Sequence, residues 1–160
     1  MTKIRYALIA LAVAAAACSP DSETTQPEAG ASVPQDIAAM VLAAAPGIAI
    51  TSGEISAGND QYEVSGTLSN GDEIEIDLVQ ANGAWTVLEL QRDVAWSSVP
   101  EPVRRTAAAA PDAFEPVRVI ESTQAADGSV VYELFRAAGN PARGPAMEVR
   151  WHRGSAEVIP

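Results

Sequence analysis

Ile74-Glu75-Ile76-Asp77-Leu78 alternates apolar and charged residues without a break. A period of two turns Ile74, Ile76 and Leu78 to one side of a strand and Glu75 and Asp77 to the other, which predicts one face in a core and one in water. Met147-Glu148-Val149-Arg150-Trp151 repeats the pattern near the end of the chain. Each stretch runs into a glycine turn, Asn82-Gly83 or Arg153-Gly154, and then into a further strand, Ala84-Trp85-Thr86-Val87-Leu88-Glu89-Leu90 or Ser155-Ala156-Glu157-Val158-Ile159. Both read as tight hairpins.

Working outward, Gln61-Tyr62-Glu63-Val64 answers Val131-Tyr132-Glu133-Leu134, each preceded by turn formers, Gly58-Asn59-Asp60 and Asp127-Gly128-Ser129. Further upstream, Ile48, Ile50 and Glu54-Ile55 match Val117, Val119 and Glu121. Upstream again, Val33-Pro34-Gln35-Asp36-Ile37 matches Val99-Pro100-Glu101-Pro102-Val103, and each leads through alanines to a closing Ala-Pro at Ala45-Pro46 or Ala110-Pro111. Proline suits a helix start, alanine propagates the helix and a later proline stops it. The expected fold is α+β, with two tandem repeats over residues 33–98 and 99–160, each one helix followed by a four-stranded antiparallel meander.

The pairing of Tyr62-Glu63-Val64 with Ile74-Glu75-Ile76-Asp77, and of Tyr132-Glu133-Leu134 with Met147-Glu148-Val149, resembles the PepSY-like and β-lactamase-inhibitor-protein-like folds. The resemblance covers residues 33–160 and implies helices packed on antiparallel meanders, in tandem. Tandem inhibitors of that family generally carry disulfides, whereas Cys18 is the single cysteine here and can form none within the chain. This departure sets the chain apart from β-lactamase inhibition in particular, and no contact residue of the family carries over.

The amino terminus has a different character. Lys3 and Arg5 precede an apolar run from Tyr6 to Val13, followed by alanines up to Cys18, the layout of a secretory signal over residues 1–17. The run is shorter than the roughly 20 apolar residues that a membrane-spanning helix needs. Ala15-Ala16-Ala17-Cys18 resembles a bacterial lipobox, although Ala15 stands where leucine is usual. That resemblance implies acylation of Cys18, palmitate included, and, with Ser19 following, an outer-membrane anchor facing the periplasm. Cleavage at the Ala-x-Ala site with an unmodified Cys18 is the alternative. Residues 18–32 lack large apolar side chains and read as a lipidated cysteine and disordered tether.

From residue 18 onward the chain carries eight arginines against 21 acids, a net charge of −13. Such a surface repels nucleic acid and anionic lipid, so the membrane is reached only through the anchor. The imbalance is uneven, with ten acids and one arginine in residues 33–98 but eight acids and seven arginines in residues 99–160.

Reactive constellations are scarce. His152 is the one histidine, and Ser155 lies near it only along a hairpin, without the orienting carboxylate of a triad. Asp72, Glu73, Glu75 and Asp77 form the densest acidic cluster and are the weak metal candidates. A straight strand spreads such ligands at about 6 to 7 Å steps, whereas a calcium loop curls them around the ion, so a solvated strand face is expected instead. Acid and base work by paired carboxylates needs desolvation, which nothing in the sequence predicts. Neither an enzyme nor a cofactor is expected.

The candidate partner contacts are Trp96, Val131 and Phe135. Trp96 lies between the two stretches and either plugs the seam or stays exposed. Val131 and Phe135 fall on a strand face that Gln61 and Ser65 make polar in the first half, which marks either inter-repeat packing, the favoured reading, or a partner site. The expected function is a non-catalytic envelope lipoprotein that engages an envelope protein as an inhibitor-like or assembly module. The alternative is a small-ligand or cation-binding module using the acidic strand or a cleft between the repeats.

Overall fold

Two short helices carry the same kind of apolar stripe. Gln35–Ala44 (α1) buries Ile37 and Val41, four residues apart, with Ala45 completing the row. Glu101–Ala109 (α2) buries Val103 and Ala107 at the same spacing. Each follows a proline and has an acid in its first turn, Asp36 or Glu101, which complements the helix dipole. Helices of this length are marginal in isolation, so the burial of these stripes holds them.

The computed structural model describes residues 33–56, 58–136 and 144–160. The expected signal, Cys18 and tether lie outside the described residues. Among the described residues no helix is long and apolar enough to cross a membrane.

The strands are Ala49–Ile55 (β1), Gln61–Thr67 (β2), Glu73–Ala81 (β3), Ala84–Asp93 (β4), Arg118–Gln124 (β5), Val130–Phe135 (β6), Met147–His152 (β7) and Ser155–Ile159 (β8). A 3-10 turn at Trp96–Ser98 and then α2 connect β4 to β5. All eight strands pair antiparallel with their sequence neighbours.

This corrects the expectation of two tandem helix-plus-meander repeats: the protein is one continuous eight-stranded sheet, in the order β1 to β8, with two helices. The joint is the pairing of β4 with β5, from Glu89↔Gln124 to Asp93↔Ile120. Separate meanders would leave β4 and β5 as open edges with unpaired backbone groups, and the joint satisfies those groups.

Both helices lie on one face. Under α1 pack Tyr62 and Val64 of β2 with Ile74, Ile76 and Leu78 of β3. Tyr62 meets Trp85 edge to face, with ring centroids 6.0 Å apart. Under α2 pack Val119 of β5, Tyr132 and Leu134 of β6, and Met147 and Val149 of β7. Between the two cores, Arg92 reaches from β4 to Glu121 of β5 at 2.7 Å, and the Tyr132 hydroxyl donates to the same carboxylate at 3.0 Å. Burial and then the Glu121 charge push the Tyr132 phenol upward. The opposite face of the sheet has no helix over it among the described residues.

Candidate carboxylate face of the open sheet

On the open face the side chains that alternate away from the helices are largely acidic. Cross-strand register aligns them: Glu54 of β1 stands opposite Glu63 of β2, Glu63 opposite Asp77 of β3, and Asp77 opposite Glu89 of β4. Directly opposed residues sit about 4.5 to 5.5 Å apart at their Cβ atoms, where like charges destabilise a sheet. Four carboxyls therefore form a ladder across four strands, with Glu75 one step along β3. Carboxylate oxygens of Glu63, Glu75 and Asp77 lie within 4.8 Å of one another. Further along the sheet, Glu133 of β6 opposes Glu148 of β7.

Glu89 reaches the ladder through an irregularity. Asp77 pairs with Glu89 but Leu78 pairs with Val87, so Leu88 is an extra residue in β4. That bulge changes the phase of the strand, letting Trp85, Val87 and Leu90 all join the core while Glu89 turns to the open face. Glu89 is only 8% exposed, and three donors converge on it. Ser122 Oγ donates at 2.5 Å, Gln124 Nε2 at 2.6 Å and Gln91 Nε2 at 3.0 Å.

Crowding and partial burial act on the protons. Burial, followed by the charge of Glu63, pushes Glu75 from 4.5 up to about 7. Burial and then Glu75, Glu89 and Glu63 push Asp77 from 3.8 to about 7. Burial and then Glu148 push Glu133 from 4.5 to about 7. Burial also raises Glu63 and Glu148. Glu63 stands beside Glu75, and Glu89 opposite Asp77, as neighbouring negative charges that favour a retained proton.

Arginines near the face are engaged elsewhere. Arg118 holds Asp93 with two bonds of 2.7 and 2.8 Å, its guanidinium 5.5 Å from the Phe135 ring centroid. Arg150 holds Asp127 at 3.0 Å. Among the described residues, none of Glu63, Glu75, Asp77, Glu89, Glu133 and Glu148 has an arginine within 4.0 Å. A cleft of about 360 Å³ opens beside the ladder, lined by residues including Thr51, Ser65, Glu73, Glu75, Asp93 and Arg118.

Of the acidic residues singled out from the sequence, Glu73, Glu75 and Asp77 share the open face as expected from their spacing, but Glu75 and Asp77 are half-buried rather than solvated. Asp72 stands apart in the preceding turn, capped by Asn70. The three clustered carboxyls lie along a sheet face rather than curled around a point as in a calcium loop, and the Gln91 amide donates toward Asp77 and Glu89. This arrangement suits protons and N–H donors, and no metal site is assigned to it.

Phe135 is 7% exposed beneath Arg118, and Val131 is half-buried between Ser122 and Arg150 on the same face. Trp96 is half-buried against the α2 core, beside a shallow groove it shares with Phe114. The structure thus does not bring Trp96 together with the other two. Sequence reasoning missed Glu63, Glu89, Glu133 and Glu148 as members of one surface. The Tyr-Glu-aliphatic repeats place Glu63 and Glu133, but only the register and the Leu88 bulge unite them with the rest.

No family model, no curated protein and no solved structure matches this chain.

Proposed function

We propose that this chain is a non-catalytic lipid-anchored module of the bacterial cell envelope that presents the open face of its sheet to a basic segment of an envelope protein. The observation carrying this reading is the ladder of carboxyls on the face opposite the helices, with Glu75 and Asp77 half-buried in it and, among the described residues, no arginine paired to it. Crowded like charges raise the free energy of the uncomplexed surface, and an approaching lysine or arginine cluster relieves it. Half-buried Val131 adds apolar area farther along the same face, whereas Phe135 is already covered by Arg118. The lipid on Cys18 supplies the address expected from the amino-terminal sequence.

The test is capture of envelope proteins on the whole immobilised chain beside two variants. One carries Glu75→Gln with Glu133→Gln on the open face, and the other carries Leu42→Ser on the exposed side of α1. A protein retained by the wild type and by Leu42→Ser, but released by the open-face pair, supports the reading. Equal retention by all three chains, or by none, sinks it.

A further inference from the structure

The ladder has a property that does not depend on any partner. Like charges in direct cross-strand register tolerate each other only when something lies between them, and here the nearest candidate is a proton. Glu75 lies beside Glu63, and Asp77 stands directly opposite Glu89. Glu89 in turn is fixed by Ser122, Gln124 and Gln91, so it cannot swing away when the ladder ionises.

We propose that Asp77 and Glu75, crowded between Glu63 and Glu89, form a proton gate: they hold their protons in mildly acidic solution, and the loss of those protons opens the face to a cationic partner. The partner half of this statement rests on the docking reading above, whereas the proton half stands on the register of Glu63, Asp77 and Glu89 and on the close approach of Glu75.

The groups facing Glu75 and Asp77 come from every neighbouring strand. Glu54 and Glu63 face them from β1 and β2, Glu73 from their own strand, and Glu89 and Asp93 from β4. Arg118 of β5 is the opposing cation, already held by Asp93, and Glu133 and Glu148 lie beyond it on β6 and β7. Acids outnumber the cation throughout.

The sign follows from linkage. A carboxyl whose value is raised on folding binds more protons folded than unfolded, so its contribution is complete below its ordinary value and is lost as pH climbs to the raised one. For Glu75 and Asp77 that window runs from the ordinary 4.5 and 3.8 up to about 7. Over it the fold loses stability as solution becomes less acidic, opposite to a protein governed by ion-paired carboxylates. An envelope address would expose this face to whatever pH surrounds the cell.

The experiment is thermal melting of the whole chain at a series of pH values between 5 and 8, with Asp77→Asn and, as a control in the exposed first turn of α1, Asp36→Asn. The wild type and the control should lose on the order of 5 °C in Tm from pH 5 to pH 8, and Asp77→Asn should lose distinctly less, with Glu75 and Glu133 keeping their share. A wild-type Tm that is flat or rises across this range overturns the gate, as does an unchanged loss in Asp77→Asn. Should Asp77→Asn fail to fold, carboxyl carbon titration of the wild type decides instead. Midpoints near neutrality for Glu75 and Asp77 support the gate, and midpoints near 4 overturn it.

A nona-arginine peptide then separates gate from docking. Binding at least about tenfold tighter at pH 8 than at pH 5.5 joins the two. A falling Tm with no peptide bound at any pH leaves the proton ladder standing and removes the docking reading.

Discussion

Beneath α1, strands β2 and β3 turn Tyr62, Val64, Ile76 and Leu78 inward, and beneath α2, strands β6 and β7 turn Tyr132, Leu134 and Val149 inward. The covered faces of the two halves are close to interchangeable in chemistry. Their open faces are not. Strands β1 to β4 carry an acidic ladder that contains no arginine, whereas β5 to β8 set Arg118 and Arg150 among Glu133, Glu148 and Glu157, with Phe135 stacked under one of them. Burial dictates the covered face because each lost methylene there costs stability, while the open face is freer to differ. The half that differs most from a generic polar surface is the half that bears the four-carboxyl ladder.

The most disruptive way to test this comparison is to hollow each core in turn. Ile76→Ala and Leu134→Ala remove side chains that are fully buried, and each should cost about 3 to 4 kcal/mol. Calorimetry should show one transition in both variants, because the pairing of β4 with β5 makes the halves one cooperative body. Two transitions would mean that the halves melt apart.

A smaller loss should follow from cutting the link between the cores. Arg92→Ala removes the partner of Glu121 and leaves that carboxylate facing the Tyr132 hydroxyl alone. With the Arg92 side chain 39% exposed, the expected cost is about 1 kcal/mol, read as a lowered denaturant midpoint with an unchanged slope. A lowered slope would place the effect on cooperativity instead.

The smallest effect lies in the paired hairpins. Asn82-Gly83 and Arg153-Gly154 both adopt positive φ at both central positions, 54° and 79° in the first and 50° and 84° in the second. Asparagine tolerates that conformation better than arginine, so Arg153→Asn should raise stability by about 0.5 kcal/mol, while Asn82→Arg should lower it by a similar amount. Equal and opposite changes in chemical denaturation would show that the two turns are equivalent.

The strands themselves were readable because alternation survives in short windows such as residues 74–78 and 147–151, and Tyr62 and Tyr132 fell on the inward faces that their spacing assigned. The joint between β4 and β5 was not readable. It depends on how residues 94–117 fold back, and no local pattern in Glu89–Asp93 names Ile120–Gln124 as its partner. The placement of Glu89 was hidden for a related reason. Unbroken alternation from Trp85 and Val87 puts Glu89 inward, and the only hint of a changed phase is the adjacent Val87-Leu88 followed by Leu90. Half-burial of Glu75 and Asp77 is a property of eight strands together, which no five-residue window contains.

Because each strand lies beside its predecessor, the order of synthesis is also an order of assembly. A chain that emerges amino end first can lay every new strand on the last one, and the longest connection to close is the one between β4 and β5. During that one pause, β4 is an unpaired edge waiting for β5 to arrive. The ladder on β1 to β4 is by then already in place, and its negative charge repels other half-built sheets at the stage when association is most damaging.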